Sequence, residues 1–307
     1  MTILMNFIIQ LIPAIIFLVF CMLPVWLVLK IYDYKIKHKK SPLSIDLLRS
    51  PGESLQEQID KITNDVLSNL LLIPIIPVFL YSIVLSNHSF SGKQLSSFQI
   101  IFYVAFAILS NSYFCFSIYK LLQKKNLLRV GLECEVAVGQ DLQNLLAHKF
   151  KVYNDFQTKK FNIDHIAIGP TGIFAIETKG RSKSVKQENE NWKVEFDGQK
   201  LKFPGWVETK PLEQAIRQAN WLKNWIQQAT AENINVVPVI ALPGWYITRK
   251  SKSEIRVYNG KNSCFLAKGS AILTDKQIQT IAFQIEKECR NITAKSYKQT
   301  SPTKRST

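Results

Sequence analysis

Two acidic residues and a lysine, Asp164, Glu177 and Lys179, stand close together in the chain. The segment 161–179 consists of two β-rich runs on either side of Gly-Pro-Thr-Gly at 169–172, which is typical of a β-hairpin turn. With a two-residue loop, Asp164 lies directly opposite Glu177, and their Cβ atoms are about 5 Å apart. Lys179 is two residues beyond Glu177 and therefore points to the same face. The spacing predicts two carboxylates and one ammonium group on one face of a hairpin.

Two opposed carboxylates repel each other unless a positive charge lies between them, and a divalent cation is the usual solution. Because Mg²⁺ prefers oxygen ligands, the pattern predicts a site for Mg²⁺ or Mn²⁺, at which Lys179 would hold a phosphate oxygen or help to deprotonate water. Two alternatives remain open. A three-residue loop would place Asp164 opposite Thr178 unless a bulge restored the pairing, and a surface hairpin would carry a solvated Asp164 and a simple Glu177–Lys179 ion pair.

A helix is predicted before the hairpin, from Gly131 onward, because apolar residues recur at helical spacing between 138 and 146. Glu135 lies one turn before this stripe, near the helix start, where a carboxylate can also simply stabilise the helix dipole. We interpret Cys134, its neighbour, as structural. His165 follows Asp164 and should point to the opposite face of the strand, which favours a structural role for it as well.

A second helix is predicted after the hairpin, because apolar residues recur at helical spacing from 212 to 226. Gln214 and Gln218 lie one turn apart beside this stripe. Trp221 and Trp225 also lie near it, and core packing is favoured over base stacking for both.

Two further strands are predicted around this helix. The third strand of the hairpin's sheet is placed within 192–202, with a turn at Asp197-Gly198. The continuous apolar run at 235–242 is typical of a buried strand.

Together these motifs resemble the nuclease-related domain called NERD. The resemblance covers roughly residues 131–260 and rests on Gly131…Glu135, Asn162-Ile-Asp-His-Ile, Gly169-Pro-Thr-Gly-Ile-Phe, Ile176-Glu-Thr-Lys-Gly180, Pro211-Leu-Glu-Gln-Ala-Ile-Arg-Gln218 and Val237-Pro-Val-Ile-Ala-Leu-Pro-Gly244. The chain departs from the family at Lys210, where the family often has Asn, and at the insertion 203–209. These departures concern the substrate side more than the metal site.

The resemblance implies an α/β restriction-endonuclease-like domain with an αβββα core, similar to the PD-(D/E)xK nucleases. It implies five catalytic residues: Asp164, Glu177, Lys179, Glu135 and Gln214. The metal ligands are expected to be Asp164, Glu177 and Thr178. The implied reaction is metal-dependent phosphodiester hydrolysis of nucleic acid, with DNA preferred to RNA as the partner.

The charge of the chain is uneven. Its formal net charge is +16, and residues 120–307 hold 31 Lys and Arg against 17 Asp and Glu. A basic domain of this kind suits a polyanion, either nucleic acid or an anionic lipid surface. The five cysteines show no metal-ligand spacing and no disulfide framework, which favours a reducing compartment.

Long uncharged apolar runs in the first 122 residues predict an α-helical membrane region with about three transmembrane helices. The first helix is placed at 1–29, and a hairpin of the second and third at 66–122. Buried helices of a large soluble core are the alternative.

Lysines follow the first and third runs, so the N-terminus is expected outside and residues 30–65 are expected to be a cytoplasmic linker. The domain at 131–260 is then also cytoplasmic, followed by a C-terminal extension with a helix at 261–290 and a basic disordered tail at 291–307. This organisation predicts a multi-pass protein of the bacterial inner membrane.

The sequence therefore predicts a membrane-anchored, metal-dependent nuclease on the cytoplasmic face. Two rivals stay open: a catalytically silent nucleic-acid-binding protein, and a membrane scaffold or sensor that uses a nuclease-like fold. The motifs identify no protein partner.

Overall fold

A computed structural model of the chain describes residues 2–37, 39, 41–91, 96–183 and 192–293. Side chains of residues 2–14, 17, 18, 21, 86, 87 and 89–91 are not described. The chain divides into two units, one formed by 45–59 and 126–293 and the other containing 1–44 and 60–125. The disordered tail was predicted at 291–307; residues 291 and 292 instead belong to a β-strand, and the part beyond residue 293 lies outside the described residues.

The helices are α1 Thr2–Lys37, α2 Glu53–Ser91, α3 Ser97–Leu142, α4 Lys210–Thr230 and α5 Asp275–Cys289. The strands are β1 Leu47–Leu48, β2 Lys151–Gln157, β3 Asn162–Gly169, β4 Gly172–Thr178, β5 Lys193–Phe196, β6 Leu201–Phe203, β7 Trp206–Glu208, β8 Val236–Ala241, β9 Tyr246–Arg249, β10 Arg256–Tyr258 and β11 Arg290–Ile292.

Two helices among the described residues are long and apolar enough to cross a membrane, at Glu53–Leu85 and Ser97–His148. They correspond to the expected hairpin, and a hydrogen bond of 2.9 Å from Asn69 Nδ2 to Ser117 Oγ joins them. The expected count of about three is corrected to two for the described part of the chain. The first predicted run, 1–29, falls in α1, where most of the early side chains are not described.

The central sheet of the second unit has the order β10-β8-β4-β3-β2 in the described residues. The β3–β4 hairpin pairs Gly169 with Gly172 and His165 with Ile176, which confirms the predicted two-residue loop and excludes the three-residue one. β8 runs parallel to β4, and its residues 239–241 are fully buried, as the apolar run at 235–242 predicted. The domain is thus built around a sheet with both parallel and antiparallel strands, and it follows a helical N-terminal region.

The prediction of the third core strand was wrong. β2 precedes the hairpin and supplies that strand instead, pairing antiparallel with β3. Residues 192–202 do form a hairpin at Asp197-Gly198, but it belongs to a second sheet of order β7-β6-β5-β9. A strand pattern of period two identifies a strand without specifying the sheet that it joins.

Apolar side chains pack on both faces of the central sheet. The end of α3 covers one face through Val138 and Leu142, while α4 and α5 cover the other. Trp221 and Trp225 are partly buried and pack against Phe156, which confirms their interpretation as core residues. These two layers hold the ends of β3 and β4 in fixed positions.

Residues 45–59 are an integral part of the domain, although they precede it by many residues in sequence. β1 pairs antiparallel with β11, and Arg49 Nε lies 2.8 Å from Oδ2 of the fully buried Asp155. The same carboxylate accepts hydrogen bonds from the backbone N–H of Ser54 and from Asn162 Nδ2, each at 2.8 Å. The expected 30–65 linker is therefore divided, since its middle part folds with the domain.

We predict that Arg49→Ala lowers the free energy of unfolding of the domain by about 3–5 kcal/mol, because it leaves the buried Asp155 carboxylate without its cationic partner. Thermal unfolding of the full chain in detergent measures this effect. Arg129→Ala is the matched control, since this guanidinium is exposed and lies 3.8 Å from Glu133. The control should cost less than about 1 kcal/mol. Equal losses in the two variants would contradict the account.

Candidate active site

The predicted acidic pair lies at the end of the β3–β4 hairpin. The register His165–Ile176, continued by one residue, sets Asp164 opposite Glu177. Beyond this pair, the Asp164 side chain takes the place of a backbone hydrogen bond between the two strands, because its Oδ2 accepts a hydrogen bond of 2.7 Å from the Thr178 backbone N–H. Both carboxylates are buried, which excludes the solvated surface hairpin.

The Glu177 carboxylate accepts hydrogen bonds from three side chains. Its Oε1 lies 2.5 Å from Lys179 Nζ and 2.8 Å from Gln214 Nε2. Its Oε2 accepts a hydrogen bond of 2.6 Å from Gln218 Nε2. Lys179 Nζ also donates a hydrogen bond of 3.0 Å to Gln214 Oε1. Lys179, Gln214 and Glu177 therefore form one closed ring of hydrogen bonds.

Gln218 joins this network, although the sequence reasoning did not assign it to the site. It is buried, and besides Glu177 its Nε2 also reaches the carbonyl oxygen of Asn162, at the start of β3, at 2.9 Å. Its spacing of one helical turn from Gln214 was the available signal, because residues four apart share a helix face.

Glu135 is buried at the side of α3, and its Oε2 has no hydrogen-bond partner among the described residues. The turn at Pro51-Gly52 lies against it. A Cβ atom at Gly52 would lie 3.6 Å from this Oε2 and only 2.4 Å from Leu132 Cδ1, and Gly52 has φ of 73°. Glycine is therefore required where the 45–59 segment passes the carboxylate.

Burial and neighbouring carboxylates raise the pKa of two groups in the site, Glu135 and Asp164. Burial, followed by repulsion from Asp155 and Glu177, raises the pKa of Glu135 to about 8. Burial, Glu177 and Glu135 likewise hold the pKa of Asp164 well above its ordinary value, although the Thr178 N–H and Lys179 oppose this shift. The site thus holds more carboxyl groups than one ammonium group can stabilise in the ionised form.

His165 and Cys134 do not belong to this network. His165 Nδ1 lies 2.9 Å from Asn154 Oδ1, and its ring sits beside Gly139 of α3, whereas Glu177 faces α4. Burial lowers the pKa of His165 to about 3, so the ring is neutral. Burial and the neighbouring glutamates raise the pKa of Cys134, which keeps it a thiol.

The donor set suits a cation that prefers oxygen. Asp164, Glu177 and Glu135 supply carboxylate oxygens, and Glu135 Oε2 and Thr178 Oγ1 are buried without hydrogen-bond partners among the described residues. In this arrangement Lys179 supplies the positive charge beside Glu177. No group of three or more His, Cys, Asp or Glu side chains stands at metal-holding distance in the described part of the chain. A cation bound here would require the acidic side chains to move closer together and Lys179 to withdraw from Glu177 Oε1.

Residues 130–243 match the family model of the nuclease-related domain, NERD, which confirms the resemblance inferred from the motifs. The matched region holds all of the predicted site residues together with Gln218. Comparisons with curated proteins and with solved structures gave no match.

We predict that Glu135 makes the metal-free protein less stable as the pH rises from about 5 to 8. The pKa of Glu135 is about 8 in the folded domain, against an ordinary value of 4.5. Between these values the folded state keeps a proton that the unfolded state releases, so stability is lost with rising pH. Thermal unfolding of wild type and Glu135→Gln in EDTA measures the difference.

The Glu135→Gln variant should lose less stability over this pH range than wild type. Glu133→Gln is the matched control, since this carboxylate lies on the same helix but is exposed, and it should behave as wild type does. Parallel pH curves for wild type and Glu135→Gln would contradict the shifted pKa.

Proposed function

We propose that this chain, which carries a nuclease-related domain, is a membrane-anchored, divalent-metal-dependent nuclease. It would hydrolyse phosphodiester bonds on the cytoplasmic face. The observation that carries the proposal is the convergence of Asp164, Glu177 and Lys179 at one end of the hairpin, with Glu135 and Gln214 beside them. Carboxylates at this density serve a packed core poorly, because burial and mutual repulsion both destabilise them.

Asp164, Glu177 and Thr178 are the proposed ligands of Mg²⁺ or Mn²⁺, with Glu135 as a further carboxylate at the border. When bound, the ion would supply an activated water and neutralise charge that develops on the scissile phosphate. Both carboxylates are buried and anchored by hydrogen bonds, so their oxygens are oriented before the substrate binds.

Lys179 is proposed to contact the substrate. Its ammonium group is partly exposed, with 20% of the side-chain surface accessible, whereas the Glu177 side chain is 3% accessible. Lys179 can therefore turn from Glu177 toward a phosphate oxygen without unfolding its surroundings. Gln214 and Gln218 are positioning residues, because they hold the Glu177 carboxylate while Lys179 moves.

Nucleic acid is the proposed substrate because residues 120–307 carry an excess of 14 positive charges.

Anchoring in a membrane by the α2–α3 hairpin is supported by two helices of sufficient length and apolarity. Residues 45–59 and 126–293 pack as one unit, so the segments before and after the hairpin must lie on the same side of a membrane. Two crossings satisfy this condition, and the lysines that follow the first and third apolar runs support the cytoplasm as that side.

A catalytically silent binding protein is the second candidate. The observation that favours it is the complete engagement of Glu177, whose two oxygens already accept hydrogen bonds from Lys179, Gln214 and Gln218. Such a network would also neutralise an acidic residue that no longer binds a metal.

Asp164→Asn and Glu177→Gln should each abolish divalent-dependent cleavage, because each removes a charged ligand while retaining the side-chain shape. The assay uses the full chain in detergent, because residues 45–59 belong to the domain. Single- and double-stranded DNA and RNA are incubated with Mg²⁺ or Mn²⁺, with EDTA as the metal-free reference.

Glu133→Gln removes one exposed negative charge near the site and should cleave at the wild-type rate. Cleavage by Asp164→Asn at the wild-type rate would refute the metal site. Wild-type binding without cleavage of any of the four substrates would favour the silent binding protein.

Reporter fusions at residues 40 and 130 should both report the cytoplasm, and a fusion at residue 90 should report the exterior. The physical reason is that 45–59 and 126–293 form one folded unit, which cannot be divided by a membrane. An external signal at residue 130 would overturn the proposed orientation.

A further inference from the structure

An aromatic cluster lies on the second sheet, at the insertion that departs from the family pattern. The rings of Phe203 and Trp206 are stacked, with centroids 4.7 Å apart and an interplanar angle of 1°. Trp245 stands perpendicular to both, at 5.1 and 6.0 Å. Phe203 and Trp245 are buried, whereas Trp206 remains 38% exposed. The buried rings thus support one exposed indole.

Trp206 is fixed next to the candidate active site. Its Nε1 donates a hydrogen bond of 2.9 Å to Glu208, and Glu208 binds Arg181 through two contacts of 2.7 Å. Arg181 follows Lys179 by two residues. The hydrogen bond between Glu208 and Arg181 is the main cause that lowers the pKa of Glu208 and raises that of Arg181. Lys179 adds to the first shift and Glu177 to the second, so these groups lie within electrostatic reach of each other.

A second indole and a cation extend this surface. Trp192 is 52% exposed, and Lys183 Nζ lies 3.7 Å from the centre of its ring. The same ammonium group lies 5.6 Å from the ring centre of Trp245 and donates to the carbonyl oxygen of Gly244 at 2.5 Å. Lys183 therefore links the exposed Trp192 ring to Trp245, the buried ring that supports Trp206.

We propose that Trp206, Trp192 and Lys183 form a binding surface for single-stranded nucleic acid, which stacks bases on the indoles and leads the strand to Lys179. This inference rests on the proposed nuclease function and names its substrate class. Exposed aromatic rings with neighbouring cations bind single strands because every unpaired base offers a π-face, while paired bases in a duplex are already stacked.

A membrane surface is the rival partner, since tryptophan and lysine also favour the lipid interface. The contacts favour nucleic acid. A lipid anchor needs no link to a catalytic group, whereas Trp206 is joined through Glu208 to Arg181 on the segment that leaves Lys179. The Trp206 indole is thus held at a fixed position relative to the proposed cleavage site.

The test measures binding of fluorescently labelled oligothymidylate and of a duplex of equal length to the full chain in nanodiscs. EDTA is present, so that binding is measured without cleavage. Trp206→Ala should weaken single-strand binding about tenfold, the usual loss for one stacked base, and leave duplex binding nearly unchanged. Trp206→Phe should retain most of the affinity because it keeps a stacking ring.

Phe283→Ala is the matched control, since this aromatic side chain is 67% exposed on α5 and lies outside the cluster. It should bind both ligands as wild type does. Trp192→Ala, at a more exposed position, should weaken single-strand binding in the same way and provides the test if Trp206→Ala does not fold.

Unchanged single-strand affinity in folded Trp206→Ala or Trp192→Ala would overturn the proposal, even if the wild-type protein cleaves nucleic acid. Burial of Trp206 by nanodisc lipid alone, seen as a blue-shifted emission missing from Trp206→Phe, would also overturn it. Tryptophan-dependent single-strand binding by a wild-type protein that cleaves nothing would support this surface and reject the proposed nuclease function.

Discussion

The buried carboxylate of Glu177 is the constraint on which the site depends. A charge at the end of a central strand is costly to bury unless hydrogen bonds and a cation compensate for it. Gln214 and Gln218 meet this need from two successive turns of α4, and Lys179 meets it from just beyond the end of β4. The helix must therefore pack against β4 in one register, and the same contacts orient the carboxylate for the proposed metal.

The hairpin could be predicted from sequence because its determinants are local. The Gly-Pro-Thr-Gly turn fixes the register, and strand alternation then places Asp164 with Glu177 and His165 on the other face. Gln218 was harder to assign, since a polar residue beside an apolar stripe contacts the site only once α4 has docked. The third strand was misplaced because β2 carries a weak pattern and residues 192–202 carry a strong one, although they join another sheet.

Long-range contacts also explain why the 45–59 segment looked like a linker. Arg49 and Asp155 are separated by 106 positions, and nothing in either local sequence specifies their pairing. Once formed, the pair ties residues 45–59 to the domain at 126–293 across the intervening part of the sequence. Gly52 on this segment lies beside Glu135, so residues 45–59 and the candidate site share one packing arrangement.

The most direct test of the account is a crystal structure of the full chain grown with Mn²⁺, with the ion located by its anomalous scattering. The account predicts an anomalous peak at ligand distance, about 2 Å, from the carboxylate oxygens of Asp164 and Glu177, with Lys179 Nζ moved away from Glu177. Gln218 should still hold the other Glu177 oxygen. A structure at saturating Mn²⁺ with no peak at these residues and Lys179 still bound to Glu177 would contradict the metal site and the nuclease function built on it.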